Sequence, residues 1–142
     1  MMQNELKESE KKLVEKAFEM LDFSYCPYSS FHVGAALLSK TGKIYGGCNV
    51  ENAAYGPSNC AERTAIFKAV SEGDREFDSI CITGGMNGKV TDYCPPCGVC
   101  RQVMREFCED DFKIYMVDAE GYEERTLAEI LPFSFSAKKH MV

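Results

Sequence analysis

The chain has 142 residues, 45% of them hydrophobic and 27% charged, the size and composition of a single globular domain spanning residues 1–142. Its formal charge of −6 argues against a sequence-tolerant nucleic-acid binder, which needs a basic face to displace phosphate counterions. Met1 to Lys12 holds no apolar stretch suited to secretion, and no apolar run approaches the roughly 18 residues of a bilayer span, so a soluble, cytoplasmic protein without membrane partners is expected.

In chain order, Asn4 is a candidate cap for a first helix in which Leu6, Leu13, Val14, Ala17, Phe18 and Leu21 recur mostly at three- and four-residue steps. The turn-rich run from Tyr25 to Ser30 ends it. A strand is predicted from Phe31 to Leu38, a turn at Lys40-Thr41-Gly42-Lys43, and a returning strand from Ile44 to Cys48, which together read as a hairpin. A loop from Asn49 to Asn59 leads into a helix carrying Ala61, Ala65, Ile66, Ala69 and Val70. Phe77 to Thr83 reads as a buried strand closed by the turn signals Gly84-Gly85 and Asn87-Gly88. A helix with Val99, Val103 and Phe107 follows Cys97, then a strand from Phe112 to Val117, a turn at Gly121, and a short strand and helical turn to Leu131. Strands alternating with helices predict a mixed α/β sandwich.

Eight cysteines are the unusual feature. Disulfide frameworks belong to secreted chains that lack a core, so this set points instead to metal or catalysis. Cys97-Gly98-Val99-Cys100 is a C-x-x-C at a predicted helix start, where backbone N–H groups and the positive helix end favour thiolates. Alone it fits a redox dithiol, half of a structural zinc site, or chance. With Cys94 it resembles the opening of an iron–sulfur run, but the next position in that pattern is Met104 and Cys108 is misplaced.

Asn59-Cys60-Ala61-Glu62-Arg63 opens the other helix. Asn59-x-x-Glu62 fits a capping box, and taken alone that reading is the better one. A second helix start bearing C-x-x-C reverses the balance. Three thiolates fill three corners of a tetrahedral zinc and leave the fourth for water, the arrangement of a catalytic site. For Cys60 to reach the metal it must sit at the helix edge, because residues two apart do not share a helix face; Glu62 then stands beside the metal as a proton carrier. Arg63 is placed either to hydrogen-bond a thiolate, offsetting the formal charge of about −1 that three thiolates give a zinc site, or to lie solvated on the helix surface. Neither His32 nor His140 stands two residues before a glutamate, so neither is expected as a ligand.

These residues resemble the signature of the zinc nucleoside and nucleobase deaminases, in the variant with Cys in place of His. The resemblance extends through Cys26 to Leu37, Gly47 to Ala53, Cys60 to Ala65, Cys97 to Gln102 and Leu131-Pro132, and is to the small homotetrameric cytidine deaminases. It implies a three-layer α/β/α fold around a five-stranded mixed sheet, and hydrolysis of cytidine and 2′-deoxycytidine to the uridines and ammonia in pyrimidine salvage. It implies one Zn2+ per subunit on Cys60, Cys97 and Cys100, with Glu62 moving protons between water, N3 and the leaving amine. By the same resemblance Asn49 and Glu51 bind the ribose hydroxyls, Phe31 packs on the pyrimidine, Ala61 lines the substrate, and Phe135 reaches a neighbouring subunit's site. The sequence departs from the family at Cys94-Pro95, where a serine is common, and at Gly56-Pro57-Ser58. Cys26, Cys81 and Cys108 read as small buried hydrophobes.

Three rivals remain open on sequence. The substrate could be an aminonucleoside antibiotic or a free base, against which Asn49 and Glu51 argue. A polynucleotide-editing enzyme would want a basic channel that this composition does not offer. A structural zinc module would use Cys94 as a fourth ligand and have no need of Glu62.

Overall fold

The computed structural model describes residues 2–141, apart from the side chain of Asn4. Five strands form one sheet: β1 (Phe31–Ser39), β2 (Ile44–Cys48), β3 (Phe77–Met86), β4 (Lys113–Val117) and β5 (Tyr122–Thr126). Their order is β2-β1-β3-β4-β5, with β3 and β4 parallel and every other neighbouring pair antiparallel. The helices are α1 (Glu8–Met20), α2 (Ala61–Ser71), α3 (Gly98–Phe107), and two short ones, α4 (Leu127–Ile130) and α5 (Ala137–His140).

The alternation of strand side chains divides the core in two. Ala35, Leu37, Ile80, Ile82, Ile114 and Met116 face α2 and α3, packing with Ala61, Ala65, Ile66, Cys100 and Met104. Their neighbours Ala36, Cys81, Tyr115 and Val117 face the other way, against Leu13, Val14 and Ala17 of α1. This is the expected three-layer sandwich. Each fully buried Leu or Ile contributes about 1.5–3 kcal/mol, so covering both faces of the central strands is what holds the layers together.

Two glycines set the spacing of the helices on the sheet. A Cβ on Gly34 would stand 2.0 Å from the Ala17 carbonyl oxygen, so only glycine lets α1 approach β1 this closely. A Cβ on Gly47 would stand 2.5 Å from the Ala61 carbonyl oxygen, so the start of α2 rests directly on the β2 backbone. That second contact fixes where Cys60 and Glu62 lie.

Several predicted boundaries move. The first helix begins at Glu8, capped by a Glu10 carboxylate that accepts from the Lys7 N–H at 2.9 Å, while Asn4 falls in a separate 3-10 turn, Gln3–Glu5. β3 runs through the predicted Gly84-Gly85 turn to Met86, because Gly84 pairs with Val33 and Gly85 with His32. Long-range pairing has overridden local turn preference there, and the turn follows at Asn87-Gly88, both with positive φ. Cys26, Cys81 and Cys108 are buried as expected, and so is Cys48.

Candidate active site

Cys60 stands in extended backbone (φ −76°, ψ 156°) as the cap residue of α2, and Cys97 holds the same place (φ −68°, ψ 166°) before α3. Both sulfurs therefore fold over a helix end, and α2 and α3 pack side by side on one face of the sheet. The Cys60 and Cys97 sulfurs are 3.7 Å apart, those of Cys97 and Cys100 3.3 Å, and all three lie within 4.8 Å of one another. Four-coordinate zinc with Zn–S of about 2.3 Å needs sulfurs about 3.8 Å apart, so the set fits one zinc with only small adjustments. Among the described residues it is the one group of three or more His, Cys, Asp or Glu placed to hold a metal. Cys94 is outside it: its sulfur packs toward Gly84, and burial pushes its thiol up to about 12. Among the described residues no closed four-cysteine site forms.

The capping box on Asn59 does not form either. The Asn59 N–H donates to the Val50 carbonyl at 2.8 Å, and its side chain donates to the Thr64 hydroxyl at 3.2 Å. The Glu62 carboxylate is thus free of capping duty, and it is only 4% exposed. Burial pushes its carboxyl up to about 7, opposed by a hydrogen bond from its own backbone N–H and reinforced by the negative Cys60. A carboxyl group poised near neutrality can both take and give a proton at working pH.

Arg63 resolves its two readings in favour of the thiols. Its Nη2 donates to the Cys60 sulfur at 3.2 Å. A hydrogen bond from Cys100 and then Arg63 hold the Cys60 thiol well below the ordinary range, while Cys100, the donor to it, is raised. Thiols must lose their protons to bind a metal, so zinc binding at these sulfurs would release protons.

The residues expected to hold substrate line the same end of the sheet. Asn49, at the end of β2, is buried and clamps β1: its Oδ1 accepts from the Val33 N–H at 3.0 Å and its Nδ2 donates to the Phe31 carbonyl at 2.7 Å. An amide has four hydrogen-bonding positions, so half remain for a ligand. Glu51 accepts from the N–H groups of Tyr28 and Ser29 at 3.0 and 3.1 Å and from the Ser29 hydroxyl, contacts that hold it ionised. Phe31 is half-buried at the start of β1 against the α2–α3 core, and Ala61 is fully buried in the first turn of α2. Phe135 is not brought to this cluster. It is 57% exposed on the C-terminal arm, stacked on His140 with ring centroids 5.1 Å apart.

The sequence reading gave Ser29 and Arg101 no role of their own, although both lie in segments that carry the family resemblance. The Arg101 contact to Ile130, 29 residues on, could not be read from sequence.

Residues 7–116 match the family described as "Cytidine and deoxycytidylate deaminase zinc-binding region". The chain belongs to this family. It is 48% identical over 126 residues to the cytidine deaminase of Sporosarcina psychrophila, covering 88% of this chain and 90% of that one. To the cytidine deaminase of Halalkalibacterium halodurans it is 47% identical, covering 89% and 93%. The crystal structure of cytidine deaminase from Burkholderia pseudomallei superposes with a TM-score of 0.82 at 39% identity, covering 92% of this chain and all of that one. As a deaminase of this family the chain is an enzyme with a zinc-binding region, and the Cys60, Cys97 and Cys100 sulfurs are where one zinc fits. Among the described residues no helix is long and apolar enough to cross a membrane.

Proposed function

We propose that this chain hydrolyses cytidine and 2′-deoxycytidine to uridine and 2′-deoxyuridine, releasing ammonia, as a cytoplasmic pyrimidine-salvage enzyme. The observation that carries the reading is Glu62, a carboxyl group poised near neutrality, buried beside three sulfurs that fit zinc. Bound on Cys60, Cys97 and Cys100, zinc would supply a water acidified to about neutral pH.

Glu62 takes a proton from the attacking water and passes it to N3 of the pyrimidine as the water oxygen joins C4. It then carries the second proton to the C4 amine, the C–N bond breaks, and ammonia leaves with the ring as the uridine. Both water protons are accounted for, one on N3 and one on ammonia. Arg63 offsets the thiolate charge around the metal. Phe31 stacks on the ring, Ala61 lines it, and Asn49 and Glu51 take the ribose hydroxyls; an ionised Glu51 can only accept, which suits a diol donor.

The exposed Phe135 arm supports a second element of the proposal, a homotetramer in which Phe135 covers a neighbouring subunit's site. The test is to follow cytidine absorbance and ammonia together with purified, zinc-assayed protein, with the assembly sized by light scattering. One ammonia per cytidine lost, at one zinc per chain, supports the reading. Full zinc without turnover of either nucleoside would refute the substrate assignment.

A further inference from the structure

Arg101, in the first turn of α3, reaches back along its own helix. Its Nε donates to the Pro96 carbonyl at 2.8 Å and its Nη1 donates to the Ile130 carbonyl at 2.8 Å. Pro96 is fully buried and immediately precedes Cys97, so the first bond pins the backbone that presents two of the three sulfurs. Ile130 is the last residue of α4, where helix carbonyls lack intrahelical partners, so the second bond caps α4 at the root of the C-terminal arm. The next residue, Gln102, donates from its side chain to the Phe135 carbonyl at 2.9 Å, further along that arm.

One guanidinium thus joins the metal loop to the start of the arm, and its neighbour fixes the arm's tip. Only arginine does this well. Its planar fork donates in two directions from a rigid group, whereas a lysine ammonium at the same place would hold one carbonyl and leave the other unpaired.

We propose that Arg101 is a positioning residue that couples metal loading at Cys97 and Cys100 to the placement of the C-terminal arm carrying Phe135. This rests on the reading that those cysteines hold zinc. When the metal fixes both sulfurs, the Pro96 carbonyl is held where Arg101 can meet it and Ile130 together. When the metal leaves, the Cys97 end of α3 loosens and the Ile130 bond weakens with it. Linkage makes the coupling reciprocal, so holding the Ile130 carbonyl at the root of the arm tightens the metal, whereas the Gln102 bond further out does not enter the cycle.

The experiment compares wild type, Arg101→Lys and Gln102→Ala, each with measured zinc content, by chelator competition for zinc and by hydrogen exchange of the amides from Leu131 to Phe135 with and without zinc. In wild type, stripping zinc is expected to speed arm exchange at least severalfold. Arg101→Lys is expected to bind zinc about 10-fold or more weakly, as loss of a group that orients metal ligands does, with arm exchange fast whether or not zinc is present. Gln102→Ala is the control for folding: its arm tip exchanges faster while its zinc affinity stays that of wild type. Arm exchange in wild type that ignores zinc, or wild-type zinc affinity in Arg101→Lys, would overturn the coupling while leaving the metal reading intact. A wild-type chain that takes up no zinc would overturn both.

Discussion

The Asn49 side chain donates to the Phe31 carbonyl at 2.7 Å, so the residue proposed to hold the sugar also fixes the backbone of the residue proposed to hold the base. The same amide accepts from the Val33 N–H. Sugar and base subsites are therefore built as one unit. Replacing Asn49 by Ala leaves a buried N–H and a partly buried carbonyl without this partner, which costs about 2 kcal/mol of stability. Urea denaturation measures this, and activity is expected to fall for ribosides and deoxyribosides alike, because the base contact shifts too.

Arg63→Gln removes the guanidinium at the Cys60 sulfur and leaves the thiolate charge uncompensated. The expected result is zinc retained and kcat/KM for cytidine lowered about 10- to 100-fold. Steady-state kinetics at matched zinc content tests it, and a wild-type rate would show that the contact has no electrostatic role.

Thr83 is fully buried on β3, and its hydroxyl makes no hydrogen bond among the described residues. Valine has the same shape without the stranded hydroxyl, so Thr83→Val is expected to stabilise the protein by about 1 kcal/mol. Thermal unfolding followed by circular dichroism reads this out as a raised midpoint.

Asp74 is held below the usual carboxylate range, first by Ser39 and then by Tyr45, whose hydroxyl donates to it at 3.1 Å. A carboxyl with a lowered folded-state pKa contributes stability that is fully present above its unfolded pKa and lost as pH falls through the folded value. Asp74→Asn is therefore expected to flatten the acid limb of the stability curve, below about pH 4, relative to wild type. Denaturant midpoints measured from pH 3 to 7 check the sign: the gap between the two proteins must narrow toward the acid end.

Much of the site was legible because its chemistry is local. Cys60 and Glu62, and Cys97 and Cys100, carry their geometry in their spacing at two helix starts, and the structure brings the three sulfurs together. What stayed hidden depends on residues far apart in sequence. The choice of Cys60 over Asn59 as the cap of α2 is made by Val50, which takes the Asn59 N–H. Gly84 and Gly85 carry turn signals, yet pairing with Val33 and His32 makes them strand. Arg63 stayed open for another reason: Cys60 is only three residues away, but spacing alone does not say whether the guanidinium turns to the thiol or to solvent. The short helix α5 gave no signal, since four residues offer no periodicity to read.

The central claim is that Glu62 moves the protons while the three cysteines hold the metal. Glu62→Gln keeps the size and shape of the side chain but cannot carry a proton, so the decisive measurement is cytidine turnover by this variant at the same zinc content as wild type. A fall in kcat of about 100-fold to 10,000-fold, with zinc still at one per chain, is the predicted result. Turnover within a few-fold of wild type would contradict it and remove Glu62 from the chemistry.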